Sequence, residues 1–183
     1  MIPEASVERA GGGAVPSDAG WFVLNTREAL WLDGTFGAYT RFEGTGAARF
    51  TQVGININVL PPGQPSCMYH AEDTQEDFLV LQGECLLLIE GQERRLKAWD
   101  FVHCPPWTEH VLIGAGEGPC TILAIGSRPS DPPPGDDVVY PASELAQRHE
   151  AGVEQETRDG AQAYHGVPDD IASGYRPGWL PAD

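Results

Sequence analysis

The sequence predicts an all-β fold that is followed by a C-terminal helix and an extended tail. Ile55, Ile57 and Val59 alternate with asparagines, and a period of two residues is typical of a strand with one buried face. Short apolar runs recur across residues 21–127, and glycine and proline turns separate them. Because 183 residues suit one domain with a proper core better than two, we expect a single barrel with appendages.

The barrel is expected to begin after a flexible N-terminal segment. Residues 1–20 combine glycine, alanine and proline with scattered charges, a composition that buries too little apolar surface to order itself. The barrel then occupies residues 21–127. Its predicted strands, in chain order, are Trp21–Leu24, Trp31–Gly34, Phe36–Phe42, Phe50–Leu60, Phe78–Leu81, Glu84–Glu90, Glu93–Lys97, Asp100–Pro106, His110–Ile113 and Cys120–Gly126. The range Asp100–Pro106 includes the turn that ends the strand.

The C-terminal part, residues 128–183, is predicted to contain three segments. Pro129–Asp137 is rich in proline and is expected to be a stiff, extended connector. Ala142–Arg158 is expected to be a helix, because Pro141 suits a first helical position and a narrow stripe recurs every four residues. Residues 164–181 keep tyrosines and a tryptophan among glycines and prolines, so we expect this tail to wrap over its own barrel or a partner's.

Composition limits the partners of the chain. It has 27 acidic and 11 basic residues and a formal net charge of −16, which opposes contact with nucleic acid or an anionic membrane. Its four cysteines form no disulfide framework, and Cys85 and Cys120 lie in apolar runs typical of small buried hydrophobes. With no apolar run long enough for a membrane span and no apolar leader, we expect a soluble cytoplasmic protein.

Asn56 and Asn58 allow two interpretations. They alternate with the apolar residues of one predicted strand, so they share the opposite face of that strand. Either this face meets water, or it meets a polar cavity in which the two amides could orient a ligand. The period of two residues does not decide between these alternatives.

The stretch from Gly63 to Gly114 carries the residues of metal-ligand type. His70 and Glu72 are two positions apart in a segment short enough to be one strand, so their side chains leave the same face. Glu76 and His110 each stand at the start of an apolar strand. Polar residues that open neighbouring strands are expected to line the mouth of a barrel.

The spacing of these residues resembles the two sequence motifs of the cupin superfamily over roughly residues 50–126. Glu76 is followed by six residues and a glycine, and a proline precedes His110 at the distance of the second motif. The first glycine of the motif is one residue further from His70 than is usual. The other departures are Glu72 at the position of the second motif histidine, Trp99 and Trp107 at positions of glycines, and Gly114 at the position of an asparagine.

This resemblance implies a cupin-type double-stranded β-helix, or jelly-roll barrel, that binds one divalent transition metal. The implied ligands are His70, Glu72, Glu76 and His110, a set of nitrogen and oxygen donors that suits Fe, Mn, Zn or Ni. Glu76 matches the glutamate of the family motif. Glu72 replaces a histidine, and either glutamate could instead be a catalytic base beside the ion. A barrel without metal, its polar residues satisfied by hydrogen bonds and water, is the alternative.

Three kinds of function follow from the resemblance. The first is a metal-dependent enzyme of the oxygenase, isomerase or lyase type. Since the barrel offers few basic residues, its substrate would be a small, weakly charged organic molecule. The others are a non-catalytic cupin that binds or senses a small ligand, and a purely structural barrel; the fold alone does not separate them. The resemblance also implies a homodimer.

Five further residues near the motifs receive weaker assignments. His103 is on the face of its strand opposite Val102 and is interpreted as a surface histidine, or as one that hydrogen-bonds to a metal ligand without binding the metal. Trp99 and Trp107 could narrow or cap the pocket mouth, or they could be part of a dimer interface. A redox role is conceivable for Cys67 and Cys104, but their spacing gives no reason to assign one.

Overall fold

A computed structural model of the chain describes residues 1–128 and 137–181. This part of the chain is built mainly from antiparallel strands, with two four-residue helices, so the all-β prediction is confirmed. The strands are β1 (Val7–Ala10), β2 (Gly13–Pro16), β3 (Trp31–Gly34), β4 (Gly37–Arg41), β5 (Val53–Leu60), β6 (Ala71–Glu72), β7 (Glu76–Gln82), β8 (Glu84–Ile89), β9 (Gln92–Lys97), β10 (Phe101–Cys104), β11 (His110–Ala115), β12 (Cys120–Ser127), β13 (Val138–Val139) and β14 (Ile171–Ser173), and the helices are α1 (Glu144–Gln147) and α2 (Gly160–Ala163).

Two sheets face each other and enclose the main core. The larger has the strand order β10-β7-β12-β5-β4-β3-β14, and the smaller has the order β11-β8-β9. Val80 and Ile122 of the larger sheet pack in one apolar cluster with Leu87 and Leu112 of the smaller sheet. All four side chains are at least 97% buried, so removal of apolar surface from water between the sheets stabilises the barrel.

The predicted strands are present from Trp31 onwards, but the one predicted at Trp21–Leu24 is wrong. There only Trp21 is paired, in a single bridge to Glu4. Trp21 and Val23 are 51% and 86% exposed. The apolar residues of this run therefore do not form a core strand. The prediction was wrong because it depended on apolar composition alone.

A hairpin of β1 and β2 occupies the segment that we expected to be flexible. Backbone hydrogen bonds hold it against the next segment: the Ala14 N–H donates to the Glu28 carbonyl at 2.7 Å, and the Leu30 N–H donates to Ala14 at 2.9 Å. Gly11 and Gly12 turn the hairpin with φ values of 58° and 98°, which glycine adopts readily. Backbone pairing and the burial of small residues such as Ala5 and Ala14 organise this segment, and composition carries no signal for the pairing.

The predicted helix at Ala142–Arg158 is wrong in length, because only the single turn α1 is helical. The chain leaves the helix at Glu150, which has a left-handed φ of 57°. The Ala151 N–H then bonds back to the Ala146 carbonyl, and both alanines are fully buried against the barrel. Gly152 lies so close to the helix that a Cβ there would be 2.6 Å from the Gln147 nitrogen. The remainder of the predicted stripe is not helical.

The C-terminal tail packs on its own barrel. The rings of Trp31 and Trp179 have centroids 4.9 Å apart, and Trp31 is fully buried. The Thr121 hydroxyl donates to the Trp179 carbonyl, and β14 adds an edge strand beside β3. The predicted proline-rich connector lies outside the described residues except for its last residue, Asp137.

Arg128 joins the end of β12 to the loop that precedes β5. Its guanidinium donates to Glu43 through both terminal nitrogens, at 2.6 and 2.7 Å, and also donates to the Phe50 carbonyl. The Glu43 side chain is only 9% exposed. The hydrogen bond from Arg128 holds the pKa of Glu43 below its ordinary value, although burial acts in the opposite direction. The bidentate pair therefore stabilises the folded barrel while Glu43 is ionised.

We predict that Glu43→Gln lowers the free energy of unfolding by about 1–3 kcal/mol at neutral pH, because a bidentate charged pair is lost. Since the folded pKa of Glu43 is depressed, the wild-type pair is fully stabilising above the ordinary carboxyl value of 4.5 and is lost as pH falls through the folded pKa. Urea unfolding at neutral and acidic pH should therefore show that the free energy of unfolding falls less on acidification in the variant than in wild type. Equal losses in Glu43→Gln, wild type and the exposed control Glu154→Gln would contradict this assignment.

Candidate metal centre

Backbone pairing brings two histidines together at one end of the barrel. His70, just before β6, forms an antiparallel bridge with His110, the first residue of β11. The His110 N–H donates to the His70 carbonyl at 2.8 Å, and the ring centroids lie 5.0 Å apart. Glu76 enters from the first residue of β7 on the opposite sheet. The structure therefore brings together His70, Glu76 and His110 from distant parts of the sequence.

Both imidazoles are held in the same tautomer by backbone carbonyls. Nδ1 of His70 lies 2.8 Å from the carbonyl oxygen of Met68. Nδ1 of His110 lies 2.9 Å from the carbonyl oxygen of Thr108. Because a carbonyl oxygen only accepts, each Nδ1 carries the proton. Nε2 of a neutral ring then offers a lone pair, which is the form in which imidazole binds a metal.

Glu76 directs a carboxylate oxygen at these two lone pairs. Its Oε2 lies 3.2 Å from Nε2 of His110 and 3.6 Å from Nε2 of His70. This oxygen is buried, and it has no hydrogen-bond partner among the described residues. Burying an acceptor without a donor is costly, so the arrangement needs a positive species at this point.

A metal ion fits this arrangement. One ligand atom from each of His70, Glu76 and His110 lies within 4.8 Å of the other two. Nitrogen and oxygen ligands about 2.1 Å from a common ion are about 3.0–3.5 Å apart, which is close to the distances from Glu76 to the two rings. Two imidazoles and a carboxylate could therefore hold a divalent transition metal with coordination positions left open.

The electrostatic environment also favours a cation. Burial lowers the pKa of His70, but Cys67 and the two nearby carboxylates outweigh burial, so that the pKa lies well above its ordinary value. Burial raises the pKa of Glu76, whereas the His110 and His70 imidazoles lower it to about 2. Both shifts show that this point attracts positive charge, for which a proton and a metal ion compete.

Glu72, the fourth predicted ligand, lies beside the group rather than within it. Its Oε1 is 3.5 Å from Nε2 of His70, on the same face of the chain as predicted. It is not one of the three residues whose ligand atoms converge. Its side chain is 38% exposed, and its other oxygen accepts a 3.4 Å hydrogen bond from Thr74.

The converging residues line a chamber of about 230 Å³ between the sheets. Asn56 and Asn58 face this chamber, which decides between the two interpretations of that strand: the amides meet a polar cavity. None of the described residues that line the chamber is a lysine or an arginine. A wider cleft of about 760 Å³ meets the chamber at Glu72 and Tyr140.

Sequence reasoning missed three polar residues that line the chamber. Tyr140 and Tyr164 come from the C-terminal part of the chain, far from the motifs, and no spacing connects them with the histidines. Cys67 lies in the first motif, with its sulfur 3.6 Å from Nδ1 of His70. The only sequence signal for the tyrosines was the retention of aromatic residues in a segment rich in glycine and proline.

His103, Trp99 and Trp107, three of the residues with weaker assignments, lie outside the chamber. The side chain of His103 is 51% exposed and pairs with Asp77 at 2.7 Å, so its interpretation as a surface histidine is confirmed. Trp99 and Trp107 have left-handed φ values of 75° and 67°, which explains why the family motif has glycine at these positions. Both are exposed, at 73% and 45%, and neither narrows the chamber.

Comparison with known proteins agrees with the fold. Residues 56–126 match the family model of the cupin domain. An uncharacterised protein of Methanocaldococcus jannaschii is 24% identical over 71 residues, which cover 39% of this chain and 57% of that protein. The match thus spans little more than half of the length of that curated relative.

Two solved structures share the fold at low sequence identity. The polyketide cyclase RemF from Streptomyces resistomycificus has a TM-score of 0.51 and 12% identity, with 62% of this chain and 83% of that chain covered. A predicted oxalate decarboxylase from Thermotoga maritima has a TM-score of 0.51 and 18% identity, with 59% of this chain and 100% of that chain covered. At these identities the likeness shows the fold alone.

Residues 56–126 match the cupin domain, so the resemblance inferred from the motifs is confirmed for this part of the chain. That domain contains all four predicted ligands, whereas the tyrosines that line the chamber lie outside it. Across the part of the chain that the structure describes, no helix is long and apolar enough to cross a membrane.

We predict that protein purified without added metals contains about one divalent transition metal ion per chain. His70→Ala and His110→Ala should each weaken metal binding by more than about 100-fold, because each removes a nitrogen donor with no replacement nearby. Elemental analysis by mass spectrometry measures the bound metal. His103→Ala is the matched control, since that histidine is exposed and outside the group. Equal metal content in all four proteins would contradict the site.

Proposed function

We propose that the chain is a metal-dependent enzyme that acts on a small, weakly charged organic molecule, with proton transfer as its first step, as in an isomerase or lyase. The observation that carries this proposal is the convergence of three potential metal-ligand atoms beside an additional carboxylate. His70, Glu76 and His110 supply enough donors for an ion, so Glu72 remains available for chemistry.

In this proposal the metal is held by His70, Glu76 and His110. A bound divalent ion supplies a Lewis acid that polarises a carbonyl or carboxylate oxygen of the substrate. Glu76 faces both imidazoles, so we assign its charge to holding the ion rather than to moving protons. The backbone carbonyls behind the two histidines hold the proton on Nδ1 and direct Nε2 of each ring toward the ion.

Glu72 is assigned the role of general base. It lies close enough to His70 to reach a substrate bound beside the ion, and its side chain is partly exposed where the chamber meets the wider cleft. A carboxylate at such a boundary can accept a proton from the substrate and release it to solvent. The Thr74 hydroxyl orients its second oxygen.

The size and lining of the chamber support the proposed class of substrate. Its volume of about 230 Å³ is below the range of about 300–1,000 Å³ that is typical for drug-sized ligands. A phosphorylated substrate would find no lysine or arginine among the described residues that line it. Asn56 and Asn58 offer neutral amides, which suit a small molecule with few charges.

An oxygenase is the second candidate. Two histidines and one carboxylate with open coordination positions are the donor set that oxygen-activating iron enzymes use. The two candidates differ in their requirement for dioxygen, so this requirement separates them experimentally.

We predict that Glu72→Gln keeps its metal and lowers turnover by about 10²–10⁴-fold, because the amide cannot accept a proton. Turnover of a pool of small hydroxy and keto acids should be followed by NMR without oxygen in the Mn(II) and Zn(II) proteins. Oxygen uptake should be followed in the Fe(II) protein. Asp73→Asn is the matched control, because Asp73 is a neighbouring carboxylate outside the chamber.

Four results would contradict the proposal in different ways. Loss of metal from Glu72→Gln would make Glu72 a ligand, and unchanged turnover would remove its role as base. Turnover only with Fe(II) and oxygen would favour the oxygenase. Metal binding by wild type without turnover in either assay would favour the non-catalytic cupin that binds or senses a ligand.

The homodimer and the cytoplasmic location remain predictions. Among the described strands β10 lies at one of the two edges of its sheet, and Phe101 on this strand and the preceding Trp99 are 64% and 73% exposed. Pairing of this edge with a second copy would bury both rings. We predict a dimer in light scattering, with Phe101→Lys shifting it toward monomer. A wild-type monomer at micromolar concentration would contradict the prediction.

A further inference from the structure

Two tyrosines form part of the chamber wall beside the candidate metal ligands. Tyr140 and Tyr164 both line the chamber, and both lie outside the cupin domain at residues 56–126. They are therefore features of this chain's C-terminal part rather than of the family motifs. Neither has a role in the proposed holding of the metal.

Strand pairing places Tyr140 next to His70. In the ladder of β13 and β6, Val138 lies opposite Glu72 and Val139 lies opposite Ala71, so Tyr140 continues the register to His70. The rings of Tyr140 and His70 have centroids 6.1 Å apart, and Tyr140 is 8% exposed. The position of this phenol is thus fixed by pairing with β6, which contains Glu72 and directly follows His70.

Packing and a backbone hydrogen bond hold Tyr164 beside Tyr140. Tyr164 ends α2, and its ring packs edge-on against Phe36 with centroids 5.4 Å apart. The Met68 N–H donates to its hydroxyl oxygen at 3.2 Å. The rings of Tyr140 and Tyr164 are nearly perpendicular, with centroids 5.8 Å apart, so the edge of one ring packs against the face of the other in the wall of the chamber.

The hydrogen bonds of this pair leave one proton for a ligand. The Met68 N–H uses an acceptor position on Tyr164 and none of the phenolic protons. The two rings are in contact, and a contact between their hydroxyls can use at most one of the two phenolic protons. The second phenolic proton remains to be donated into the chamber that both residues line.

Both phenols remain donors near neutral pH. Burial raises the pKa of Tyr140, although the His70 imidazole and the hydrogen bond with Tyr164 act against it. Burial also raises the pKa of Tyr164 well above its ordinary value. The described residues that line the chamber include no lysine or arginine, and a protonated phenol there can hold an oxygen acceptor by donating a hydrogen bond.

We propose that Tyr140 and Tyr164 form a donor pair that holds one oxygen of a substrate carboxylate or enolate beside the metal ligands. This inference rests on the proposed metal-dependent function and narrows its substrate to small monoanionic oxygen compounds. A divalent ion with one carboxylate ligand carries a net positive charge that suits a single negative charge. The phenolic donor then fixes which oxygen of the substrate faces away from the ion. The pair thereby determines which substrates the chamber binds.

The experiment measures the binding of two small probes to the Co(II)-loaded full chain by visible absorption. Acetate carries the oxyanion that the pair should recognise, and imidazole is a neutral metal ligand that does not need a phenolic donor. We expect Tyr140→Phe to weaken acetate binding by about 10-fold and to leave imidazole affinity within about twofold. Tyr164→Phe should weaken acetate binding less, because it acts through Tyr140.

Tyr39→Phe is the matched control. It removes a phenolic hydroxyl that donates a 2.9 Å hydrogen bond to Asp170, at a site outside the chamber. Its acetate and imidazole affinities should equal those of wild type. Circular dichroism and Co(II) affinity verify that each variant is folded and loaded before the probes are added.

Failure of this inference differs from failure of the proposed function. If wild type binds Co(II) but acetate produces no change, or if Tyr140→Phe binds acetate as wild type does, the donor pair is refuted while the metal site stands. Equal loss of acetate and imidazole binding would also refute it, because the effect would then be on the metal. If wild type binds no Co(II), both the proposed function and this inference fail.

Discussion

The antiparallel bridge between His70 and His110 is the contact on which the site depends. It places two imidazoles side by side, and the carbonyls of Met68 and Thr108 fix the tautomer of each ring. The two sheets then bring Glu76 across the chamber, where its buried oxygen has no donor among the described residues. The fold thus concentrates lone pairs at one point, and this arrangement is stable only when a cation is present there.

The sequence was most informative where local spacing and strand period coincide. His70, Glu76 and His110 stand at strand starts, so their convergence could be predicted from the motifs together with the jelly-roll expectation. The orientation of Asn56 and Asn58 could not be predicted, because a period of two residues shows that they share a face but not what that face meets. Tertiary packing of the two sheets decided this point.

The C-terminal part shows why the remaining features were missed. Tyr140 reaches the chamber through a two-residue strand, and no periodic pattern can reveal so short an element. The stripe that suggested a long helix is interrupted at Glu150, where the chain adopts a left-handed conformation that sequence propensity does not announce. Trp99 and Trp107 have the same conformation at a cost of about 1–3 kcal/mol each, so these departures from the motif affect backbone strain rather than the site.

The most direct measurement of the central claim is X-ray diffraction at the absorption edge of the metal that the protein carries when purified. The account predicts one anomalous peak per chain within bonding distance of Nε2 of His70, Nε2 of His110 and Oε2 of Glu76. Crystals that show no anomalous peak there after soaking in Mn(II), Fe(II), Ni(II) and Zn(II) would contradict it. In that case the two imidazoles would have to be protonated and paired with Glu76, and the chamber would contain an ion pair instead of a metal centre.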